Sequence, residues 1–177
     1  KHLSVFAFAP IPLLIKLGTL INDIYTCQIN QKVRNPDTWK LDDDTTEVKY
    51  TVVEPENNHK TVALNISLSA SITNNRITEV LGDECDIYTI TIDNPFNDYL
   101  KSKRHLEDFS IIIRQLLNKV KAQYGEKTPL HIFPAMPIAK AVELGRVWMP
   151  KADMPLFLYD QNTANSGFSK AIEIVNK

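Results

Sequence analysis

The apolar positions follow two rhythms, one of period two and one near 3.6, separated by turn residues. Residues 3–8 (Leu-Ser-Val-Phe-Ala-Phe) read as a strand, interrupted by Ala9-Pro10-Ile11-Pro12. Proline suits the first turn of a helix, where its missing N–H is no loss. Leu13, Leu14, Leu17, Leu20 and Ile21 then predict a short helix. Strands are predicted at 24–29, 49–54 and 61–69, with a polar loop over 31–47 around a short segment at Trp39. Thr73 to Leu81 reads as a short helix stopped by Gly82, and residues 87–92 as a strand. Leu106, Phe109, Ile112, Ile113, Leu116, Val120 and Tyr124 mark the longest amphipathic helix, ended by Gly125. Strand 130–133, helix 138–148, strand 156–159 and a strand or helix at 168–175 complete the chain.

Strands alternate with helices over residues 61–160, which predicts an α/β fold with a largely parallel sheet flanked by helices. Such sheets bind ligands outside the carboxyl ends of their strands. The informative loops are therefore those after strands 3–8, 61–69, 87–92 and 130–133.

The chain also repeats itself. At an offset of 127, Phe6 falls on Phe133, Pro10 on Pro137, Ile11 on Ile138, Leu17 on Leu144 and Gly18 on Gly145. Ile15 meets Val142 and Leu20 meets Val147; after a three-residue shift, Asp23 meets Asp153 and Gln31 meets Gln161. Both copies lead from a strand through a proline loop into a helix and another strand. Two similar half-domains are expected, related by a pseudo-two-fold axis, with their proline loops facing one cleft. Chance likeness between strand–proline–helix units is the alternative.

The 177 residues suffice for one ordinary domain, and 44% hydrophobic with 23% charged residues excludes wholesale disorder. No stretch approaches the roughly 18 apolar residues of a membrane span. A net charge of −1 argues against binding nucleic acid through bulk charge but leaves room for a pocket holding one small anion. Cys27 and Cys85 are too few for a disulfide scaffold and read as small hydrophobes. With no signal peptide, this predicts a cytoplasmic setting. A chain beginning at Lys1 suggests a fragment, with any domain upstream lying outside it.

Motifs for familiar chemistries are missing. His2, His59, His105 and His131 have no metal-ligand spacing, and there is no glycine-rich phosphate loop. Neither a metal, a cofactor nor a catalytic group is expected. Asp42-Asp43-Asp44 reads as a solvated loop rather than a metal cradle, and Cys85 as structural. The Ser67/Ser69/Ser71 loop follows a strand and precedes a helix, so it either contacts phosphate or base, or merely shapes the turn and caps the helix. Lys16 and Lys140, on the helices after the proline loops, either reach an anion or are ordinary exposed lysines. Trp39, Trp148 and Tyr159 are candidates to stack on a base. Trp148 fits a core, whereas Trp39 lies in a polar loop.

The run His131-Ile-Phe-Pro-Ala-Met-Pro-Ile-Ala-Lys-Ala-Val-Glu-Leu-Gly-Arg-Val-Trp-Met-Pro-Lys, followed by Leu156-Phe-Leu-Tyr-Asp, resembles the hallmark of SAVED domains. These are the cyclic-oligonucleotide sensors of bacterial anti-phage CBASS effectors. Phe8-Ala-Pro-Ile-Pro-Leu-Leu-Ile-Lys-Leu-Gly, Ala63-Leu-Asn-Ile-Ser-Leu-Ser-Ala and the Phe109 helix resemble the family too. The resemblance implies a single sensor domain over 1–177 made of two fused CARF-like, Rossmann-like halves, at about 1–58 and 60–177. By the 127 offset the partner of Thr61 lies upstream of Lys1, so the first half is abbreviated or lacks part of its sheet. It also implies a cyclic di- or trinucleotide held across the halves, no catalysis by this domain, self-association through SAVED domains, and a fused effector, most similar to the HNH–SAVED endonucleases that act on DNA. No HNH motif is present. The ligand-facing positions it implies are Pro10, Pro12, Leu13, Ser69, Ala70, Ser71, Phe133, Pro134, Ala135, Met136, Pro137 and Lys140. Tyr159, Asp160, Trp39, Lys32 and Arg34 are further additions. The competing functions are a Rossmann-like enzyme acting on a nucleotide and an assembly module without ligand.

Overall fold

The computed structural model describes residues 2–21, 25–41, 47–162 and 167–175. Asp23 and the Asp42–Asp44 run lie outside the described residues. In chain order the elements are β1 (His2–Phe6), α1 (Ile11–Ile21), β2 (Thr26–Asn30), β3 (Tyr50–Val53), β4 (Thr61–Ser67), α2 (Asn74–Leu81), β5 (Cys85–Ile92), α3 (Lys103–Tyr124), β6 (Leu130–Ala135), α4 (Ile138–Val147), β7 (Leu156–Asn162) and β8 (Gly167–Ile174). The ambiguous last segment is thus a strand. The other predicted elements form within a few residues of their expected ends, and the segment at Trp39 is a narrow loop closed by a bridge between Val33 and Thr38.

The main sheet has the order β3-β5-β4-β6-β7-β8. Its centre is parallel, and both edge strands, β3 and β8, run antiparallel to their neighbours. The period-two pattern sorts its faces. Val62, Leu64 and Ile66 of β4, with Leu130 and Ile132 of β6, pack beneath α3 and α4, while Ala63 and Phe133 turn to the other face with Ile77 of α2. Both faces are covered, giving three layers. The stripe of α3 (Phe109, Ile113, Leu116, Leu117, Val120) is buried, its start capped by the Ser102 hydroxyl, which accepts the His105 N–H. Gly125 ends it at φ 86°, a conformation that favours glycine. Strand β6 runs past its predicted end at Phe133 through Pro134. The ladder to β7 stops at Ile132, so the missing proline N–H falls where β6 has no β7 partner.

β1 and β2 form a separate two-stranded parallel sheet. The unit strand–helix–parallel strand therefore occurs twice, as β1-α1-β2 and β6-α4-β7. Paired residues are 24 apart in the first unit and 26 in the second, so the ladders set the insertion at two residues rather than three. The two units meet through their helices. A Cβ on Gly18 would lie 2.0 Å from the Val142 carbonyl oxygen, and one on Gly145 would lie 2.0 Å from that of Ile15. Exchange of the copies maps each contact onto the other, as a two-fold axis requires.

Candidate functional site

The carboxyl ends of both sheets open on one cleft of about 130 Å³. The first unit contributes Phe8, Gln31, Lys32 and Arg34; the second side contributes Ser69, Asn97, Met136, Pro137 and Ile138. The cleft thus sits at the sheet ends expected of an α/β fold, and the segments around both proline loops reach it through Phe8 and through Met136–Ile138. Gln31, nearly buried, crosses between the units. Its Oε1 accepts the Ala139 N–H at 3.0 Å, in the first turn of α4, and its Nε2 donates to the Lys32 carbonyl.

The loop after β4 is shaped by a buried polar network. The Ser67 hydroxyl donates to Asn65 Oδ1 and accepts the Ile72 N–H; Asn65 Nδ2 donates to the Ile72 carbonyl. The N–H groups of Leu68 and Ser69 both donate to the Ala135 carbonyl at 2.8 Å. These backbone donors are engaged, so an anion would meet the Ser69 side chain rather than a cradle of free amides. Ala70 and Ser71 are exposed beside the cleft without lining it.

Two cations stand at the mouth. Lys32 pairs with Asp37 and lies 5.8 Å from the Trp39 ring centre. The Arg34 backbone N–H donates to Asp98 Oδ1, and its guanidinium has no ion-pair partner among the described residues.

Several candidates sit elsewhere. Phe133 is fully buried and stacks on Tyr159 at 4.3 Å, with Phe168 edge-on; the Tyr159 hydroxyl lies 2.9 Å from His131 Nδ1. Both rings belong to the core beneath α2, on the sheet face to which Ala63 also turns. Trp39 packs edge-on against Phe6 and lines a different hollow, of about 280 Å³, with Gln28, Asn30 and Lys103. A hollow of about 420 Å³ lies between β3 and α3 and has no lining residue from the first unit. Trp148 is core, its indole N–H donating to the Met154 carbonyl. Pro12 is buried and Leu13 points outward, while Pro10 caps α1, its carbonyl accepting the Leu13 and Leu14 N–H groups. Pro134 and Ala135 are half-buried below the cleft.

Lys140 departs most from expectation. It is 0% exposed, its ammonium donating to the Tyr50 hydroxyl among the rings of Tyr50, Tyr99 and Phe109 at 4.5, 4.7 and 4.9 Å. Burial holds its pKa well below the ordinary lysine value, against the opposing pull of Asp108. It is neither an exposed lysine nor a lining group of the cleft. Burial likewise pushes the Cys85 thiol up to about 11, which fits a structural cysteine.

Phe8, Gln31, Asn97 and Ile138 were not singled out as site residues. Asn97 lies in the loop after strand 87–92, whose position was informative, but nothing in Asn-Pro-Phe-Asn singled it out. No group of three or more potential metal ligands occurs among the described residues, and no helix among them is long and apolar enough to cross a membrane.

A pseudo-symmetric pair of strand–helix–strand units with a cleft at their carboxyl ends defines a Rossmann-like α/β fold. The chain belongs to the SAVED family, described as "SMODS-associated and fused to various effectors sensor domain", which matches residues 1–174. It is similar to the Acinetobacter baumannii Cap4 SAVED/CARF-domain containing receptor with the cyclic trinucleotide 2'3'3'-cAAA, at a TM-score of 0.70 and 14% identity, over 98% of this chain and 38% of that one. The same receptor with 3'3'3'-cAAA gives 0.65 and 14%, over 98% and 38%. The Moraxella osloensis Cap4 SAVED/CARF-domain containing receptor gives 0.58 and 13%, over 98% and 37%. The chain therefore spans less than two fifths of the length of these receptors. No curated protein matches it.

Proposed function

We propose that this domain binds a cyclic di- or trinucleotide in the cleft between its two units, and that binding activates a fused effector in bacterial anti-phage defence. The carrying observation is the convergence of Lys32, Arg34, Ser69, Asn97 and Pro137 from both units at the carboxyl ends of both sheets. Lys32 and Arg34 supply charge for phosphates, Asn97 supplies an amide able to read a base edge, and Phe8, 84% exposed, supplies a face for stacking. A cleft of about 130 Å³ is smaller than the roughly 300–1,000 Å³ of typical ligand pockets, so it takes no more than one base while the sugar–phosphate ring lies over the mouth.

A sensor of this kind acts by binding one arrangement better than another, since a ligand without differential affinity shifts no equilibrium. The arrangement proposed is an assembly of SAVED domains that brings effector domains together, in the cytoplasm. The effector proposed is a DNA endonuclease of the HNH type. The Cap4 receptors with cyclic trinucleotides support the ligand class, and the word "effectors" in the family description supports the fusion.

Calorimetry with a panel of cyclic di- and trinucleotides tests the binding step. Saturable binding without consumption of the nucleotide supports a sensor; turnover would favour a nucleotide-processing enzyme, and silence across the panel an assembly module. Light scattering on the full-length protein tests the second step. An unchanged mass at saturating ligand, with the effector switched on, would replace assembly by intramolecular rearrangement.

A further inference from the structure

At the repeat offset, Lys140 of α4 corresponds to Leu13 of α1. Leu13 is 53% exposed and Lys140 fully buried, so the second unit places its lysine where an apolar residue would need no hydrogen-bond partner. We infer that Lys140 is a positioning residue for the cleft: its caged head group ties the connection between β5 and α3 to the first turn of α4, and so sets the spacing of the cleft walls.

The cage is assembled from three segments: Tyr50 from β3, Tyr99 from the connection, and Phe109 from α3. Tyr99 is two residues from Asn97, and Lys140 two residues from Ile138; Asn97 and Ile138 both line the cleft. The Tyr50 hydroxyl takes the ammonium and donates onward to the His105 carbonyl at 3.0 Å, which anchors the tie in α3. The titratable and charged groups around the ammonium are Tyr50 on β3, Tyr99 on the connection, and Asp108 and His105 on α3, and no carboxylate pairs with Lys140 among the described residues. Cation–π attraction to three rings and one hydroxyl therefore hold the head group, an arrangement that weakens when the amine loses its proton. The consequence for ligand binding rests on the reading of the cleft as the nucleotide site; the tie itself does not.

The test compares wild type with Lys140→Met, which keeps the stem and removes the head group, and Tyr50→Phe, which keeps the ring and removes the hydroxyl. Hydrogen–deuterium exchange on the unliganded proteins reads the tie. Amides of residues 96–101 should exchange at least tenfold faster in both variants, with β4 and α1 unchanged. Equal exchange in all three proteins, or a uniform rise throughout, overturns the inference. Should Lys140→Met fail to fold, Tyr50→Phe decides. Affinity for 2'3'3'-cAAA, measured at one fixed pH, reads the consequence. Lys140→Met and Tyr50→Phe should both bind about tenfold more weakly than wild type. Wild-type affinity in both variants sinks the coupling. A wild type that binds no cyclic nucleotide sinks the proposed function and leaves the exchange result to judge the tie.

Discussion

Gly18 and Gly145 face each other across the seam between the two units: a Cβ on Gly18 would come within 2.8 Å of the Gly145 Cα, and one on Gly145 within 2.9 Å of the Gly18 Cα. Each glycine lets the partner helix approach to backbone contact. Because the two positions are 127 apart in a chain that repeats at that offset, the contact is the pseudo-two-fold axis of the domain made visible.

Gly18→Ala and Gly145→Ala should each destabilise the protein by similar amounts. In an isolated helix, alanine gains about 0.5–1 kcal/mol over glycine. Here the new methyl meets a carbonyl oxygen at 2.0 Å and must push two helices apart, at a cost of about 1–3 kcal/mol or more. Urea unfolding measures both variants. The double variant should cost less than the two single costs together, because one separation relieves both clashes. A stabilised single variant would mean that the seam is looser than described.

The stability of the wild type relative to Lys140→Met should rise with pH between the depressed folded-state pKa of Lys140 and the ordinary lysine value; the buried Cys85 thiol, raised to about 11, opposes a rise in absolute stability equally in both proteins. The folded-state pKa of Lys140 is depressed, so within this window the unfolded chain holds a proton that the folded chain has released. The slope approaches about 1.4 kcal/mol per pH unit where Lys140 is neutral in the fold and charged in the unfolded chain. Above pH 10 both proteins lose absolute stability, since burial raises the Tyr50 and Tyr99 pKa values and only the unfolded tyrosines ionise. Chemical denaturation across the window should find a stability difference between wild type and Lys140→Met that grows with pH.

Arg34→Ala should weaken binding of a cyclic trinucleotide about ten- to a hundredfold, the loss of one charged hydrogen bond worth about 1.5–3 kcal/mol. Arg34 is exposed and makes no ion pair among the described residues, so the melting temperature should stay within a degree or two. Calorimetry beside a thermal melt separates the effects. Full affinity in the variant removes Arg34 from the site.

Asp153→Ala should destabilise by about 3–5 kcal/mol, the range for breaking a buried ion pair. Asp153 is 1% exposed and receives both Arg114 terminal nitrogens, at 2.6 and 2.7 Å, with the Met149 N–H at 2.7 Å. These bonds fasten the turn between α4 and β7 onto α3. Equilibrium unfolding with a loss below about 1 kcal/mol would show the pair to be dispensable.

Periodicity and punctuation were enough to order the strands and helices, because alternation and a 3.6-residue stripe are local consequences of which face is buried. The repeat also read directly, since Gly18 and Gly145 must both be glycine for the helices to meet, and a matched constraint leaves matched residues. The 127 offset therefore pointed to the pseudo-symmetry and to a cleft shared by the loops Pro10–Pro12 and Phe133–Pro137, of which Met136 and Pro137 line it, while the first loop reaches it only through its neighbour Phe8. Side-chain direction was another matter. Phe133 and Pro137 lie four residues apart in one motif, yet Phe133 turns into the core under α2 and Pro137 lines the cleft, because the pleat of β6 and the start of α4 aim them differently. Lys140 and Leu13 occupy equivalent places in the repeat, and what separates a buried head group from an exposed side chain is the covering of α4 by α3, with no described element covering α1 at Leu13. Gln31 and Asn97 entered the site through contacts with residues far away in the chain. Pattern along a chain reports which faces want burial. Which neighbour arrives to bury them, and which polar groups are left facing the same space, depends on contacts between distant segments and exists only once the chain has closed on itself.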